Sequence, residues 1–192
     1  MRAGSSLFAA TWLATFALTV GCHADPKKEA DALGRADAAA TKLGGTLRTK
    51  MTAALEHGGP ARAVEICAGE AQKTREEVAR EAGVKIGRSS LRLRTPADVA
   101  PDWVAAWLKA NGGRKAEKVT GVRAVVETPS GKVARVLRPI TMEAPCLACH
   151  GDEAQIDPAV LAAIRAKYPT DVATGYQFGD LRGALWVEAA VQ

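Results

Sequence analysis

The run Cys146-Leu147-Ala148-Cys149-His150 holds the residues with the most specific chemistry in this chain. The spacing C-x-x-C-H is that of a c-type haem attachment site. In such a site the two thiols form thioether bonds with the haem vinyl groups, and the imidazole becomes the proximal iron ligand. A zinc site would need a second ligand pair, which the sequence lacks, and a thioredoxin-like pair would open a helix after a strand. The motif therefore predicts one covalently attached haem c per chain.

Cys67 is the remaining cysteine of the predicted domain, and it has no disulfide partner in the sequence. It falls on the apolar stripe of a predicted helix, so we expect it to face inward. A buried cysteine often serves as a small hydrophobic residue, and the alternative is that Cys67 is the second axial ligand of the iron. His57, Met51 and Met142 are the rival ligands, although a histidine at a helix end commonly interacts with the helix dipole.

Residues 1–22 are typical of an export signal. Arg2 supplies a positive start, and the apolar run from Leu7 to Val20 is too short to span a membrane. Export agrees with the haem prediction, because haem c is attached outside the cytoplasm. We therefore expect the protein to lie in the periplasm, where its partner would be a redox or signalling protein.

The end of this signal, Leu18-Thr19-Val20-Gly21-Cys22, resembles a bacterial lipobox, in which the cysteine is lipidated. Thr19 departs from the usual leucine. Lipidation of Cys22 would anchor the protein to the periplasmic side of a membrane through a tether over residues 23–29. The alternative is cleavage after Ala24, which would release a soluble periplasmic protein.

The composition suits one globular domain, which we place at residues 30–192. The chain has 192 residues, of which 47% are hydrophobic, and a formal net charge of +5. Its basic residues are dispersed and only 5% of residues are aromatic, so we expect no nucleic-acid partner.

Apolar periodicity predicts a long helix over residues 29–57, which Gly58 ends. A second helix begins at Gly59-Pro60 and continues to about Ala82, and the two helices should pair as an antiparallel hairpin. Strands are predicted at 84–86, 91–93, 119–127, 133–140 and 183–191, and short helices at 101–110 and 158–167. Helices in front of an antiparallel sheet make the fold class α+β.

Several stretches together resemble one family: Ala63–Cys67, Arg88–Pro96, Pro101–Trp103, Pro139–Pro145, Tyr168–Asp171, Ala173–Tyr176 and Gly179–Ala184. The chain is similar to the single-haem, PAS-like c-type cytochromes, which also occur as the extracytoplasmic input domain of some histidine kinases. The resemblance implies a PAS-like antiparallel sheet with a long N-terminal helical hairpin. It also implies an iron held by His150 on one side and by Cys67 on the other.

Two further points concern the basic loop of this resemblance. Thr95 and Asp98 stand where the family would have asparagines, which leaves the hydrogen bonding of that loop open. Arg88, Arg92 and Arg94 are candidates to bind the haem propionates, because guanidinium groups bind carboxylates with two parallel hydrogen bonds. The alternative is that they form a solvated strand face.

His/Cys ligation favours ferric iron and should place the midpoint potential well below that of His/Met cytochromes. Reduction would weaken the Cys67 bond and open a coordination position. The sequence thus predicts a haem-based redox or gas sensor, with an electron carrier as the alternative. We expect no enzymatic activity, because two axial ligands leave the iron no free position.

Overall fold

The computed structural model describes residues 25–192, so the predicted signal segment and Cys22 lie outside the described residues. Helix α1 (Pro26–Ala82) begins three residues earlier than the sequence pattern indicates. The Asp25 side chain accepts hydrogen bonds from the backbone N–H groups of Lys27 and Lys28, and Pro26 occupies the first turn. This N-cap favours helix at once, so residues 26–29 are helical rather than part of a tether.

Helix α1 bends back on itself at Gly59. That residue has φ 69° and ψ −174°, a conformation that glycine alone adopts readily. It divides α1 into a first arm (residues 26–58) and a second arm (residues 60–82). Lys42 pairs with Glu81, and the Lys50 ammonium lies 2.8 Å from the Glu70 carboxylate, so the arms run antiparallel. The predicted hairpin is confirmed, with its break one residue later than Gly58.

Residues 83–192 of the described chain form a four-stranded antiparallel sheet and three shorter α-helices. The strands are β1 (Lys85–Ser89), β2 (Val122–Thr128), β3 (Gly131–Thr141) and β4 (Leu181–Ala190), in the spatial order β1-β4-β3-β2. The helices are α2 (Asp102–Asn111), α3 (Leu147–His150) and α4 (Pro158–Lys167). The α+β fold class and the antiparallel sheet are confirmed.

Alternation along β3 and β4 sends side chains to both faces of the sheet. On one face Val136, Leu185 and Val187 pack against the alanine-rich stripe of the first arm, which includes Ala36 and Leu43. On the other face α2 packs on the sheet. The residues buried in this contact, with tryptophans packed around them, are Val104, Leu108, Leu137 and Ala184. The sheet therefore anchors the hairpin on one side and α2 on the other.

The predicted strand at 91–93 is wrong. Leu91 is 59% exposed, and no ladder forms there because other groups bind the local backbone. The Arg92 carbonyl accepts from Ser90 Oγ at 2.5 Å, and the Leu93 carbonyl accepts from the Val172 N–H at 3.0 Å. This loop instead joins the sheet to the segment near residue 172. Within residues 25–192, no helix combines the length and apolarity needed to cross a membrane.

Candidate functional site

The C-x-x-C-H run forms the short helix α3, which follows β3 after a 3-10 turn at Ala144–Cys146. Cys146 and Cys149 are three residues apart, so both thiols project from one side of this turn. Both side chains are half-buried, and neither forms a disulfide within residues 25–192. The exit from β3 is fixed by Met142, whose N–H donates to the Asp180 carbonyl at 2.9 Å. The strand thus delivers the motif at a fixed point beyond the sheet.

A segment over residues 171–176 holds α3 through three hydrogen bonds. The N–H of Tyr176 donates to the His150 carbonyl at 3.0 Å, and the N–H of Gly175 donates to the Gly151 carbonyl at 2.7 Å. His150 Nδ1 lies 2.6 Å from the Ala173 carbonyl oxygen. Since only an N–H can bond a carbonyl, Nδ1 carries the proton and Nε2 keeps its lone pair for a metal.

The electrostatic surroundings keep His150 neutral. Burial, together with the positive charges of Arg94 and Arg182, lowers the pKa of His150 to about 3. A neutral imidazole with a free Nε2 is the form that binds a metal. The Tyr176 ring stands nearly perpendicular to the imidazole, with the two centroids 6.4 Å apart, and limits rotation of the His150 ring.

Arg94 joins α3 to the same supporting segment. Its Nη2 donates to the Cys149 carbonyl at 2.6 Å and lies 3.1 Å from an Asp171 carboxylate oxygen. Both side chains are buried, with exposures of 13% and 7%. On the other flank Arg48 of the first arm binds the Glu143 carboxylate with both terminal nitrogens, but that pair is largely exposed. The motif is therefore held from two sides, once in the interior and once at the surface.

Cys67 faces the same region from the second arm of α1, yet its side chain is exposed, so the prediction that it faces inward is wrong. Val64, one turn earlier, packs against α4, and Val78 packs against the sheet, which leaves Cys67 between the two contacts. Burial nevertheless raises the pKa of the Cys67 thiol, while the charges of Arg88 and Arg94 act to lower it. The region between the second arm at Cys67 and the motif at Cys149 is called the cleft below.

Cys149 lies across this cleft from Cys67. Burial raises the pKa of the Cys149 thiol, and the thiols of Cys67 and Cys146 raise it further. Cys67 acts in the same way on the Tyr168 phenol, whose pKa is raised mainly by burial. Charge–charge effects of this kind fall off with distance, and Cys149 and Tyr168 both pack against the apolar cluster that contains Val64, one turn from Cys67. Cys67, the two motif cysteines and Tyr168 therefore border one space.

The rival ligands have other environments. His57 is exposed at the tip of the hairpin, and Met51 lies half-buried in the first arm. Met142 is only 1% exposed, in the chain that leads from β3 to the motif. Neither His57 nor Met51 belongs to the apolar cluster around Cys149 and α4, whereas Val64, one turn from Cys67 on the same helix arm, does.

The three candidate arginines differ in what they contact. Arg94 is engaged as described, and Arg92 donates to the Thr174 carbonyl at 2.5 Å and stacks on the Tyr176 ring at 3.8 Å. Both support the motif from within the protein, so the alternative of a solvated strand face is wrong for them. Arg88, on β1, has no hydrogen-bond partner for its guanidinium among residues 25–192, and it acts electrostatically on Cys67 and His150. Arg88 is thus the arginine best placed to meet an anionic group in the cleft.

The loop that contains Thr95 and Asp98, where the family would have asparagines, forms its own hydrogen bonds. Thr95 caps a 3-10 turn by accepting from the Ala97 N–H, and Asp98 pairs with Arg75 of the second arm at 3.5 Å. Burial raises the pKa of Asp98. Threonine and aspartate therefore satisfy this loop without asparagines.

Sequence reasoning missed the supports of the motif. Asp171 and Ala173 belong to stretches that the family resemblance singled out, but the pattern gave them no role. Their partners Arg94 and His150 lie 77 and 23 residues away. The Asp171 side chain accepts from the Ala173 N–H, a local turn signal that the sequence does contain.

The residues fit a c-type haem. Two thiols on one turn of α3 suit two vinyl groups, and His150 presents a neutral Nε2. Cys67 supplies a thiol on the facing helix, and Arg88 supplies a cation for a propionate. The described residues hold no group of three or more His, Cys, Asp or Glu side chains arranged around a metal ion.

The fold and the site together define an α+β domain that displays a C-x-x-C-H turn between a long helical hairpin and an antiparallel sheet. The model of the Tll0287-like family matches residues 27–189, and the chain therefore belongs to that family. A solved structure described as the cyanobacterial heme-protein Tll0287 is similar in fold. It has a TM-score of 0.58 and 22% sequence identity, with 88% of this chain and 98% of that chain covered. No curated protein matches the chain.

Proposed function

We propose that this protein is an exported monohaem c-type cytochrome that acts as a redox or gas sensor. Cys146 and Cys149 would form the thioether bonds, His150 Nε2 would be the proximal ligand and Cys67 the distal one. The observation that carries the proposal is the 2.6 Å contact between His150 Nδ1 and the Ala173 carbonyl, which would leave Nε2 free to bind an iron. The similar structure is described as that of a heme-protein, which supports a haem in this chain.

When bound, the haem supplies one-electron redox chemistry and binding of small gaseous ligands. The two ligands are held with different rigidity. His150 is fixed by the 171–176 segment and by Arg94, whereas Cys67 is exposed on one arm of the hairpin. We therefore expect Cys67, rather than His150, to leave the iron upon reduction.

Release of Cys67 from the iron would affect other parts of the protein, because the second arm that carries Cys67 has neighbours on both sides. Val64, one turn from Cys67, packs on Val160 and Ile164 of α4, and Lys50 of the first arm bonds Thr74 of the second. A shift of the second arm changes both contacts, which gives a partner protein a surface to detect. This arrangement favours sensing over electron transfer. No catalytic role is proposed.

The alternative is an electron carrier, and one observation supports it. Cys146 and Cys149 are half-buried rather than buried, so the haem edge they hold would lie near the surface. A carrier would keep both axial ligands in both oxidation states.

The experiment is the absorption spectrum of the reduced protein, produced with haem-maturation machinery, before and after addition of CO. Rapid CO binding in the wild type supports loss of Cys67 upon reduction and hence sensing. A reduced spectrum indifferent to CO supports the carrier. Absence of any haem band refutes the proposal. The Cys67→Ala variant is the matched control, since it should bind CO in every case.

A further inference from the structure

Tyr176 borders a second cavity, which the proposed haem ligands do not line. This cavity has a volume of about 100 Å³, room for about three water molecules at their share of liquid volume. Leu91 lines it and is 59% exposed, so the cavity opens to solvent there. Neither the motif residues nor Cys67 contribute to its walls. The space is therefore separate from the cleft between Cys67 and Cys149.

Three arginines line this cavity: Arg92, Arg114 and Arg182. Within the described residues none of the three pairs with a carboxylate. Arg182 donates through Nη1 alone, to Ser90 Oγ at 2.6 Å and to the Arg92 carbonyl at 3.1 Å. Arg114 donates through Nη1 to the Asn111 side chain at 3.1 Å. A guanidinium has five N–H donors, so each group keeps donors for a further acceptor.

The one carboxylate in the lining is already engaged. Asp180 lies 2.7 Å from the Lys115 ammonium and accepts from the Gln177 N–H at 2.7 Å. Lys115 cancels its charge. The arginines therefore give the cavity a net positive charge.

Tyr176 fixes two of these arginines. The Arg92 guanidinium carbon lies 3.8 Å from the ring centroid, and that of Arg182 lies 5.2 Å from it. Arg182 is half-buried, and this burial lowers the pKa of its guanidinium, which has no carboxylate partner within the described residues. Such burial is costly unless the charge is paired. A bound anion would supply the missing charge.

We propose that this cavity binds a small planar oxyanion, such as nitrate or a short carboxylate, between Arg92, Arg114 and Arg182. Planar oxyanions match guanidinium groups because each can accept two parallel hydrogen bonds. The volume limits the ligand to a few heavy atoms. The opening at Leu91 gives a free anion a route that does not cross the haem cleft.

The same chemistry could come from a haem propionate, and the experiment separates the two sources. Sodium nitrate and sodium acetate are titrated into the haem-loaded full chain by isothermal titration calorimetry. We expect saturable binding at one site. If the anions bind the haem-free chain but not the haem-loaded chain, a haem propionate fills the cavity, and the proposal is overturned.

The test variant is Arg114→Gln, because Arg114 is exposed and, among residues 25–192, its side chain bonds only Asn111. Losing one charged hydrogen-bonding group should weaken binding by about tenfold. Arg80→Gln removes the same charge from an exposed helix end outside the cavity and should bind like the wild type. Equal affinity in the Arg114 variant and the wild type, or no saturable binding, would overturn the proposal.

Haem content is measured separately from the absorption spectrum of each sample. If the chain takes up no haem, the same titration on that chain still tests the anion site. Failure of the haem proposal and failure of this one are thus told apart.

Discussion

Replacing Arg94 with methionine should destabilise the protein far more than the same change at Arg48. Both arginines bind a carboxylate beside the C-x-x-C-H motif, but the Arg94–Asp171 pair is 13% and 7% exposed, while Arg48–Glu143 is 67% and 46% exposed. Removing one partner of a buried pair leaves an uncompensated charge, which costs about 3–5 kcal/mol. An exposed pair contributes about 0–1 kcal/mol.

The free energy of unfolding is measured by urea titration on samples of equal haem content. We expect Arg94→Met to lose at least about 2 kcal/mol more than Arg48→Met. Adding Asp171→Asn to Arg94→Met should recover about 1–3 kcal/mol, because it removes the unpaired charge. The asparagine side-chain oxygen can still accept from the Ala173 N–H, as Asp171 does.

Similar losses at the two arginines would refute this reasoning, since burial would then not decide the cost. A further loss upon adding Asp171→Asn would also refute it. That result would mean that the negative charge of Asp171 stabilises the fold through groups other than Arg94.

Three other changes have expected outcomes. Cys67→Ala should raise the midpoint potential, on the order of 0.1 V, because a thiolate ligand favours ferric iron; an unchanged potential and spectrum in a redox titration would exclude Cys67 as a ligand. In the haem-free chain, unfolding free energy should fall as pH drops from 6.5 toward 3, by up to about 1.4 kcal/mol per unit. In this pH range His150 takes up a proton in the unfolded chain but not in the folded chain, where its pKa is lowered to about 3. His150→Asn should therefore reduce the pH dependence of the unfolding free energy measured by urea titration. An unchanged pH dependence would mean that other groups cause it. Gly59→Ala should destabilise the hairpin by about 1–3 kcal/mol because φ is 69°, whereas Gly34→Ala, inside the first arm with nothing near its added carbon, should stabilise it in thermal unfolding; equal effects would contradict the backbone argument.

The sequence predicted those features that depend on local pattern. Apolar spacing located both arms of α1, and the strands predicted at 119–127 and 133–140 are found as β2 and β3. The break at Gly59 was predicted one residue early, because Gly58 and Gly59 are equivalent in sequence and only one adopts positive φ. The α+β class followed from the order of these elements.

Features that depend on distant contacts escaped the pattern. Leu91 and Leu93 alternate like a strand, yet the Arg92 carbonyl accepts from Ser90 and the Leu93 carbonyl accepts from Val172 instead of from a neighbouring strand. Cys67 lies on an apolar stripe whose other members pack on different elements, so its exposure depends on tertiary structure. The pairing of Arg94 with Asp171 spans 77 residues and leaves no periodic signal.

The central claim is that Cys146 and Cys149 hold one haem covalently. The direct measurement is the intact mass of the purified protein after acid denaturation and organic extraction, which remove non-covalent haem. The account predicts one haem retained per chain, and none in the Cys146→Ser/Cys149→Ser variant. A wild-type mass without haem, from a sample that was coloured before extraction, would contradict it.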